Sequence, residues 1–144
     1  MVSTEQMICD NITRNAAGEL CFAGVALSSM AEQYGTPLYL YDEGRLRERC
    51  RTYLSAVKAA FGGGGRVFYA SKAASFRRIY EIMKEEGMGI DVVSSGEIYS
   101  ASSAGFDLAN AYFHSNNKTD ADIAFAMEAG VGTFVSDSKE ELDI

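Results

Sequence analysis

The side chains best suited to chemistry in this sequence lie where short apolar runs end. Lys72, Asp91 and His114 each end or interrupt a predicted β-strand. Barrel enzymes keep their working groups at the carboxyl ends of their strands, and a lysine amine placed there can attack a small carbonyl compound. The spacing therefore predicts a common site built from several strand ends.

Lys72 is the candidate nucleophile. Strand alternation places Phe68, Ala70 and Lys72 on one side of a predicted strand. If this side faces a barrel interior, the amine lies at the mouth against apolar walls, where it can attack an aldehyde and form an imine. The alternative is a solvated lysine at a strand end, with no chemical role.

Three further side chains allow both a functional and a structural interpretation. Asp91 interrupts an apolar strand. In the functional interpretation it is a partner for Lys72 or for a cationic cofactor group. In the structural interpretation it forms a salt bridge or a hydrogen bond at the end of the strand. Glu97 follows Ser94 by three residues in a capping-box pattern, so it either caps a helix or orients a neighbouring side chain at the mouth. His114, the only histidine, is either a working group or a structural hydrogen-bonding residue.

A regular alternation of strands and amphipathic helices positions these residues. The strands are predicted at 38–41, 67–70, 89–93, 111–113 and 133–135, with helices that begin at Asp42, Ser75, about Ser95 and Thr119. Short apolar strands separated by helices indicate βα units and a parallel sheet. The predicted fold class is α/β, a partial (β/α)8 TIM-type barrel of about the first four to five βα units, with an N-terminal arm.

The predicted domains are an N-terminal arm, residues 1–26, and the N-terminal part of a barrel, residues 27–144. Within the arm, Glu19–Phe22 is a predicted strand, and a helix from Leu27 to Tyr34 follows. Ser138 and Glu141 form a capping-box pattern that starts a further helix near the end of the chain. Five strands do not close an eight-stranded barrel, so we expect a truncated barrel, or a half-barrel that pairs with a second copy.

Composition excludes several classes of protein. A hydrophobic content of 47% and a charged content of 23% are those of a globular domain, and the net charge of −7 argues against nucleic acid or an anionic membrane as partner. No membrane span or signal peptide is visible. Three cysteines without close spacing predict free thiols in a reducing cytoplasm, and a single histidine argues against a metal site. The run Gly62–Gly65 opens no helix and is interpreted as a connector, not a phosphate loop.

Several segments in order resemble the diaminopimelate decarboxylase family, which belongs to the fold-type III pyridoxal-phosphate enzymes with an alanine racemase-like barrel. The resemblance covers the chain from about Glu19 and rests on the segments Tyr34–Asp42, Tyr69–Ala73, Gly89–Glu97, Phe113–Lys118, Glu128–Gly132 and Val135–Ser138.

The resemblance implies that Lys72 holds pyridoxal 5'-phosphate as an internal aldimine and that Asp91, Glu97 and His114 line the cofactor pocket. It implies a cytoplasmic homodimer that converts meso-diaminopimelate to L-lysine, with no nucleic-acid or membrane partner. The alternatives are a decarboxylase of ornithine or arginine, and a non-catalytic barrel that binds the cofactor. The family's ring-stacking histidine, phosphate loop and acidic partner of the pyridine nitrogen would lie beyond Ile144, so the 144-residue chain alone is expected to be inactive.

Overall fold

Residues 9–142 are described by a computed structural model, in which contacts between Cα atoms define two units that divide between Leu46 and Arg47. The helix α2, Glu43–Phe61, begins before this division and lies mostly in the second unit. The division predicted between residues 26 and 27 is not tested by this grouping and stays a prediction.

The first unit contains a small antiparallel sheet followed by one helix. Its elements are the strands β1, Ile12–Arg14, β2, Leu20–Phe22, and β3, Val25–Ala26, and the helix α1, Leu27–Tyr34. The strand and the helix predicted in this part of the sequence are both present. Gly35 ends α1 with a φ of 80°, a conformation that residues with a Cβ atom rarely adopt.

The strand predicted at residues 38–41 is wrong. Within residues 9–142 this segment pairs with no strand, and it leaves Tyr39 88% exposed. An apolar run has the composition of a strand, but a strand also needs a neighbour to satisfy its backbone hydrogen bonds. The adjoining helix prediction is confirmed, because the Oδ1 atom of Asp42 accepts a hydrogen bond from the amide of Arg45 at 3.0 Å and caps α2.

The second unit is a four-stranded parallel sheet in which the strands follow chain order, as consecutive βα units require. Between its strands lie helices and short 3₁₀ segments. The strands are β4, Phe68–Ala70, β5, Gly89–Val92, β6, Ala111–His114, and β7, Thr133–Val135; the helices are α3, Arg77–Glu85, α4, Ser95–Ser103, and α5, Asp120–Glu128.

The two faces of this sheet differ in burial. Ile90, Val92 and Phe113 point to one face and are 0% exposed, where residues such as Tyr80 of α3 and Ile98 of α4 complete the core. Burying one large apolar side chain contributes about 1.5–3 kcal/mol, so this face supplies much of the stability of the unit. The other face carries the polar residues of the strands.

Two helix starts test the predicted caps. The helix predicted to begin at Thr119 is confirmed as α5, and at its start Thr119 and Asp122 form a reciprocal capping box. The cap predicted at Ser75 is wrong, because its Oγ atom instead pairs with the hydroxyl of Tyr80 at 2.7 Å and α3 begins later, at Arg77. Tyr80 is fully buried, and a buried phenol needs a hydrogen-bond partner.

The segment after β7 follows the predicted capping pattern as far as it is described. A 3₁₀ turn covers Glu140–Leu142, and the Oγ atom of Ser138 accepts a hydrogen bond from the amide of Glu141 at 3.4 Å. Residues 1–8 of the predicted arm and residues 143–144 lie outside the described part of the chain. Among the helices of residues 9–142, none has both the length and the apolar character that a membrane crossing requires.

Candidate functional site

The strand register brings the polar side chains to one edge of the sheet. Ala70 lies opposite Asp91, and Asp91 lies opposite Tyr112 on the next strand. His114 follows Tyr112 by two residues, so its side chain points to the same face of the sheet as Asp91. Because the strands are parallel, their carboxyl ends meet at one edge, as the sequence predicts.

A cleft of about 470 Å³ occupies this edge. Its lining combines an amine, two carboxylates, an imidazole and an amide. The lining residues are Lys72, Asp91, Val93, His114, Ser115, Asn116 and Asp137. Three of the four predicted site residues, Lys72, Asp91 and His114, therefore share one cleft.

Lys72 lies in a short 3₁₀ segment, Ser71–Ala73, directly after β4. The hydroxyl of Tyr69 donates a hydrogen bond to the carbonyl of Ala74 at 2.9 Å and closes this turn. Lys72 is exposed, whereas Ser71 is 0% exposed and its Oγ atom has no hydrogen-bond partner within residues 9–142. The prediction that apolar side chains surround the Lys72 amine is wrong. The strand alternation ends at Ala70, and the amine lies among polar side chains.

Asp91 carries a carboxylate oxygen that the described part of the chain leaves unsatisfied. Its Oδ1 atom is buried and accepts no hydrogen bond within residues 9–142. Burial raises the pKa of Asp91, and the charges of His114 and Lys72 only partly oppose this effect. The interpretation that Asp91 accepts a hydrogen bond at the end of the strand is therefore not supported for Oδ1. This oxygen is available to a ligand.

His114 points into the cleft with half of its side chain exposed. Its Nε2 atom lies 3.7 Å from the Oδ1 atom of Asp137, and its side chain is 51% exposed. This distance exceeds that of a hydrogen bond, so the imidazole is near a carboxylate without being fixed by it. The geometry favours a group available to a ligand over a structural hydrogen-bonding residue.

Glu97 lies behind the cleft and is not among its lining residues. Its Oε2 atom accepts a hydrogen bond from the amide of Val93 at 2.9 Å, and its own amide donates to the Oγ atom of Ser94 at 3.3 Å. Burial raises the pKa of Glu97, and the negative charge of Asp91 adds to this effect. These contacts favour the helix-cap interpretation, so Glu97 supports the turn that follows Asp91.

Asp137 is a lining residue that the sequence did not single out as a site residue. It follows β7 just as His114 ends β6 and Lys72 follows β4, and this position was the available signal. Ser115 and Asn116 also line the cleft, although asparagine at this position suggested only a turn. Within residues 9–142, no group of three or more His, Cys, Asp and Glu side chains is arranged to hold a metal ion.

Comparisons with known proteins identify the family of this chain. Residues 43–144 match the family described as pyridoxal-dependent decarboxylase, pyridoxal binding domain. The chain is 42% identical over 130 residues to the diaminopimelate decarboxylase of Staphylococcus aureus. The aligned region covers 90% of this chain and 31% of that protein. A crystal structure of diaminopimelate decarboxylase from M. jannaschii with L-lysine has a TM-score of 0.82 and 31% identity, covering 93% of this chain and 31% of that one. A lysine/ornithine decarboxylase from Vibrio vulnificus with putrescine has a TM-score of 0.69 and 29% identity, covering 81% and 31%.

These similarities test the expectations on fold and family. The chain spans 31% of the length of each of these three proteins. The structural likeness confirms the predicted fold class, with this chain as the N-terminal portion of the fold, and the family's description confirms the pyridoxal cofactor that the resemblance implied. Since the family match covers residues 43–144, more than half of the sequence, the chain belongs to the pyridoxal-dependent decarboxylases and carries part of their pyridoxal-binding domain.

Proposed function

We propose that this chain is part of an enzyme that decarboxylates meso-diaminopimelate to L-lysine with pyridoxal phosphate held on Lys72. The observation that carries the proposal is the cleft in which Lys72, Asp91 and His114 meet at the carboxyl edge of the parallel sheet. Pyridoxal phosphate, when bound, supplies an electron sink for the pair of electrons left at Cα when carbon dioxide departs.

The residues of the cleft fit such a cofactor. Pyridoxal phosphate offers an aldehyde, and the cleft offers the primary amine of Lys72, which condenses with an aldehyde and releases water. The buried Oδ1 atom of Asp91 accepts no hydrogen bond within the described residues, so a donor on the ligand would satisfy it. The cleft volume of about 470 Å³ lies within the range of about 300–1,000 Å³ for small-molecule sites.

Each side chain then has a defined task. The Nζ atom of Lys72 would hold the cofactor before substrate binds and, once free, would hold a proton that can be delivered to the Cα atom of the substrate. The Asp91 carboxylate provides negative charge beside that amine, and their interaction opposes the burial effect on Asp91. The His114 imidazole offers a hydrogen-bonding group at the cleft wall, and Glu97 supports the Asp91 turn from behind.

The substrate proposal rests on the relatives. Proteins similar to this chain are named diaminopimelate decarboxylase, and one was crystallised with L-lysine. The likeness to a lysine/ornithine decarboxylase with putrescine supports a second candidate, decarboxylation of ornithine or a similar basic amino acid. With the whole enzyme of which this chain is part, release of carbon dioxide from meso-diaminopimelate but not from ornithine or arginine supports the first candidate, and the reverse pattern refutes it. Cofactor binding without carbon dioxide release from any of the three would indicate a non-catalytic barrel.

The role of Lys72 is tested by substitution. In the whole enzyme, Lys72→Ala should abolish both the absorbance of the bound cofactor and the release of carbon dioxide. Lys58→Ala is the matched control, because Lys58 lies in the last turn of α2 and does not line the cleft. Equal loss in both variants would show that the Lys72 result reflects a general effect on folding.

We further propose a cytoplasmic homodimer. The three free cysteines, Cys9, Cys21 and Cys50, suit a reducing compartment. Among the described strands, β4 and β7 each have one neighbour in the sheet, and an open sheet edge favours association with another segment. Light scattering should give the mass of two chains, whereas a stable monomer over a wide range of concentrations would contradict the dimer.

A further inference from the structure

The segment between β6 and α5 contains a buried lysine that the proposed chemistry does not use. The side chain of Lys118 is only 2% exposed, although it follows the exposed turn residues Asn116 and Asn117. A buried ammonium is costly unless it is paired and hydrogen-bonded. Its burial therefore requires partners close to the ammonium group.

Three groups surround the Lys118 amine. The Oε2 atom of Glu141 lies 3.1 Å from Nζ, and the carbonyl of Ser115 accepts a hydrogen bond from the same atom. The ring centroid of Phe113 lies 5.8 Å away, within the range of a cation–π contact. An ammonium has three donors, and these contacts fasten it to β6, to the turn after β6 and to the segment after β7.

These contacts continue into the candidate site. The Oε2 atom of Glu141 also accepts a hydrogen bond from the amide of Asp137 at 3.0 Å. Asp137 and Ser115 both line the cleft, and Asp137 faces the Nε2 atom of His114 at 3.7 Å. The Asp137 amide and then the Lys118 ammonium hold the pKa of Glu141 below its usual range, so the Glu141 carboxylate stays ionised at neutral pH.

We propose that Lys118 and Glu141 are positioning residues that hold the His114 and Asp137 ends of the cleft at a fixed separation. One ammonium joins the two strand ends that carry these cleft side chains, and neither member of the pair lines the cleft itself. The inference rests on the proposed function for its meaning in catalysis, but the geometry it asserts exists without a cofactor.

The competing explanation is that Lys118 and Glu141 form a purely structural ion pair. The two explanations predict different effects when either residue is substituted. If the pair only stabilises the fold, its loss lowers stability and leaves the environment of His114 unchanged. If the pair positions the cleft, its loss changes the environment of His114 in protein that is still folded. His114 is the only histidine in the chain, so the imidazole NMR signals belong to this residue alone.

The test compares Lys118→Met, Glu141→Gln and the double variant with the parent chain by NMR of the His114 ring. Lys139→Met is the matched control, because Lys139 is an exposed lysine in the same segment as Glu141. Both single variants should shift the His114 signal, the double variant should shift it no further, and Lys139→Met should leave it in place. Lys118→Arg keeps the charge and should restore the parent signal at least in part. If Lys118→Met does not fold, Glu141→Gln decides, because it keeps a hydrogen-bond acceptor for the Asp137 amide.

Pyridoxal phosphate titration is the second measurement. The Lys118→Met and Glu141→Gln variants should bind the cofactor about 2- to 30-fold more weakly, the range expected for residues that act through their neighbours. Unchanged His114 signals and unchanged affinity, with lower stability alone, would overturn the proposal. If the whole enzyme binds no cofactor, the proposed function fails, and the His114 signal of this chain still decides the positioning role.

Discussion

Asp91→Asn should make the folded chain more stable at neutral pH while it weakens cofactor binding. Asp91 lies within β5, where its carboxylate oxygen Oδ1 is buried without a hydrogen-bond partner in the described residues. Burial raises its pKa despite the positive charge that Lys72 offers nearby. A charge that is maintained against its environment lowers stability, which enzymes tolerate where the charge is needed for binding or catalysis.

The magnitude follows from the environment of this oxygen. A buried polar group without a partner costs about 1–3 kcal/mol, and more when it is charged. The substitution leaves a neutral oxygen in the same place, so only the part due to charge is recovered. Water also reaches part of the side chain and screens it, so we expect a gain of about 1 kcal/mol in the free energy of unfolding at pH 7.

The pH dependence has a defined sign. Below the usual carboxyl pKa of 3.8, the side chain is protonated in both the folded and the unfolded chain, so its ionisation does not change the relative stability of the two proteins. As pH rises through the raised pKa of the folded state, the parent chain loses stability and the variant does not. The advantage of Asp91→Asn should therefore grow between about pH 4 and pH 7.

Urea unfolding followed by circular dichroism measures this difference at several pH values. Asp120→Asn is the control, because Asp120 is an exposed carboxylate in the first turn of α5. Its loss should reduce stability by about 0.3–1 kcal/mol through the helix dipole, which is the opposite sign. If Asp91→Asn instead lowers stability by 1 kcal/mol or more at about pH 7, Asp91 is a structural anchor and our interpretation is refuted.

Two further predictions concern the framework around the site. The arginines beside Glu86, Arg51 foremost, lower its pKa to about 2, so the stability this carboxylate contributes is present above the usual value of 4.5 and lost as pH falls through about 2. Urea midpoints of the parent chain and Glu86→Gln should therefore differ most above pH 4.5 and converge near pH 2; a constant difference would contradict this. Gly132→Ala should lower the free energy of unfolding by about 1–3 kcal/mol, because the added Cβ atom would lie 2.1 Å from the carbonyl oxygen of Ala109. Gly96→Ala meets no atom closer than 3.8 Å and should raise stability by about 0.4–1 kcal/mol in the same thermal or urea assay, so equal effects of the two glycine variants would refute the steric argument.

Periodicity predicted most of the second unit, because its strands are short apolar runs and amphipathic helices lie between them. The failure at residues 38–41 has a clear physical cause. An apolar run indicates only that a segment is suited to a strand. The backbone hydrogen bonds of a strand also require a partner strand, which the sequence does not identify. Without a partner strand, Tyr39 is 88% exposed.

The candidate site was partly predictable for the same reason. Lys72, Asp91 and His114 could be placed together because parallel strand ends share an edge. The sequence could not decide between the two roles of Glu97, because that choice depends on which amide its carboxylate reaches, here that of Val93. Lys118 was also beyond prediction, since its burial and its pairing with Glu141 arise only from tertiary structure.

The central claim is that Lys72, and no other lysine, binds pyridoxal phosphate. The chain has five lysines, which makes selectivity measurable. The most direct measurement is incubation with pyridoxal phosphate, reduction with borohydride and peptide mapping by mass spectrometry, because reduction traps an adduct even when reversible affinity is low. We predict a single modified peptide that carries Lys72 and is absent from Lys72→Ala. Modification spread evenly over the lysines, or concentrated on another one such as Lys84, would contradict the account.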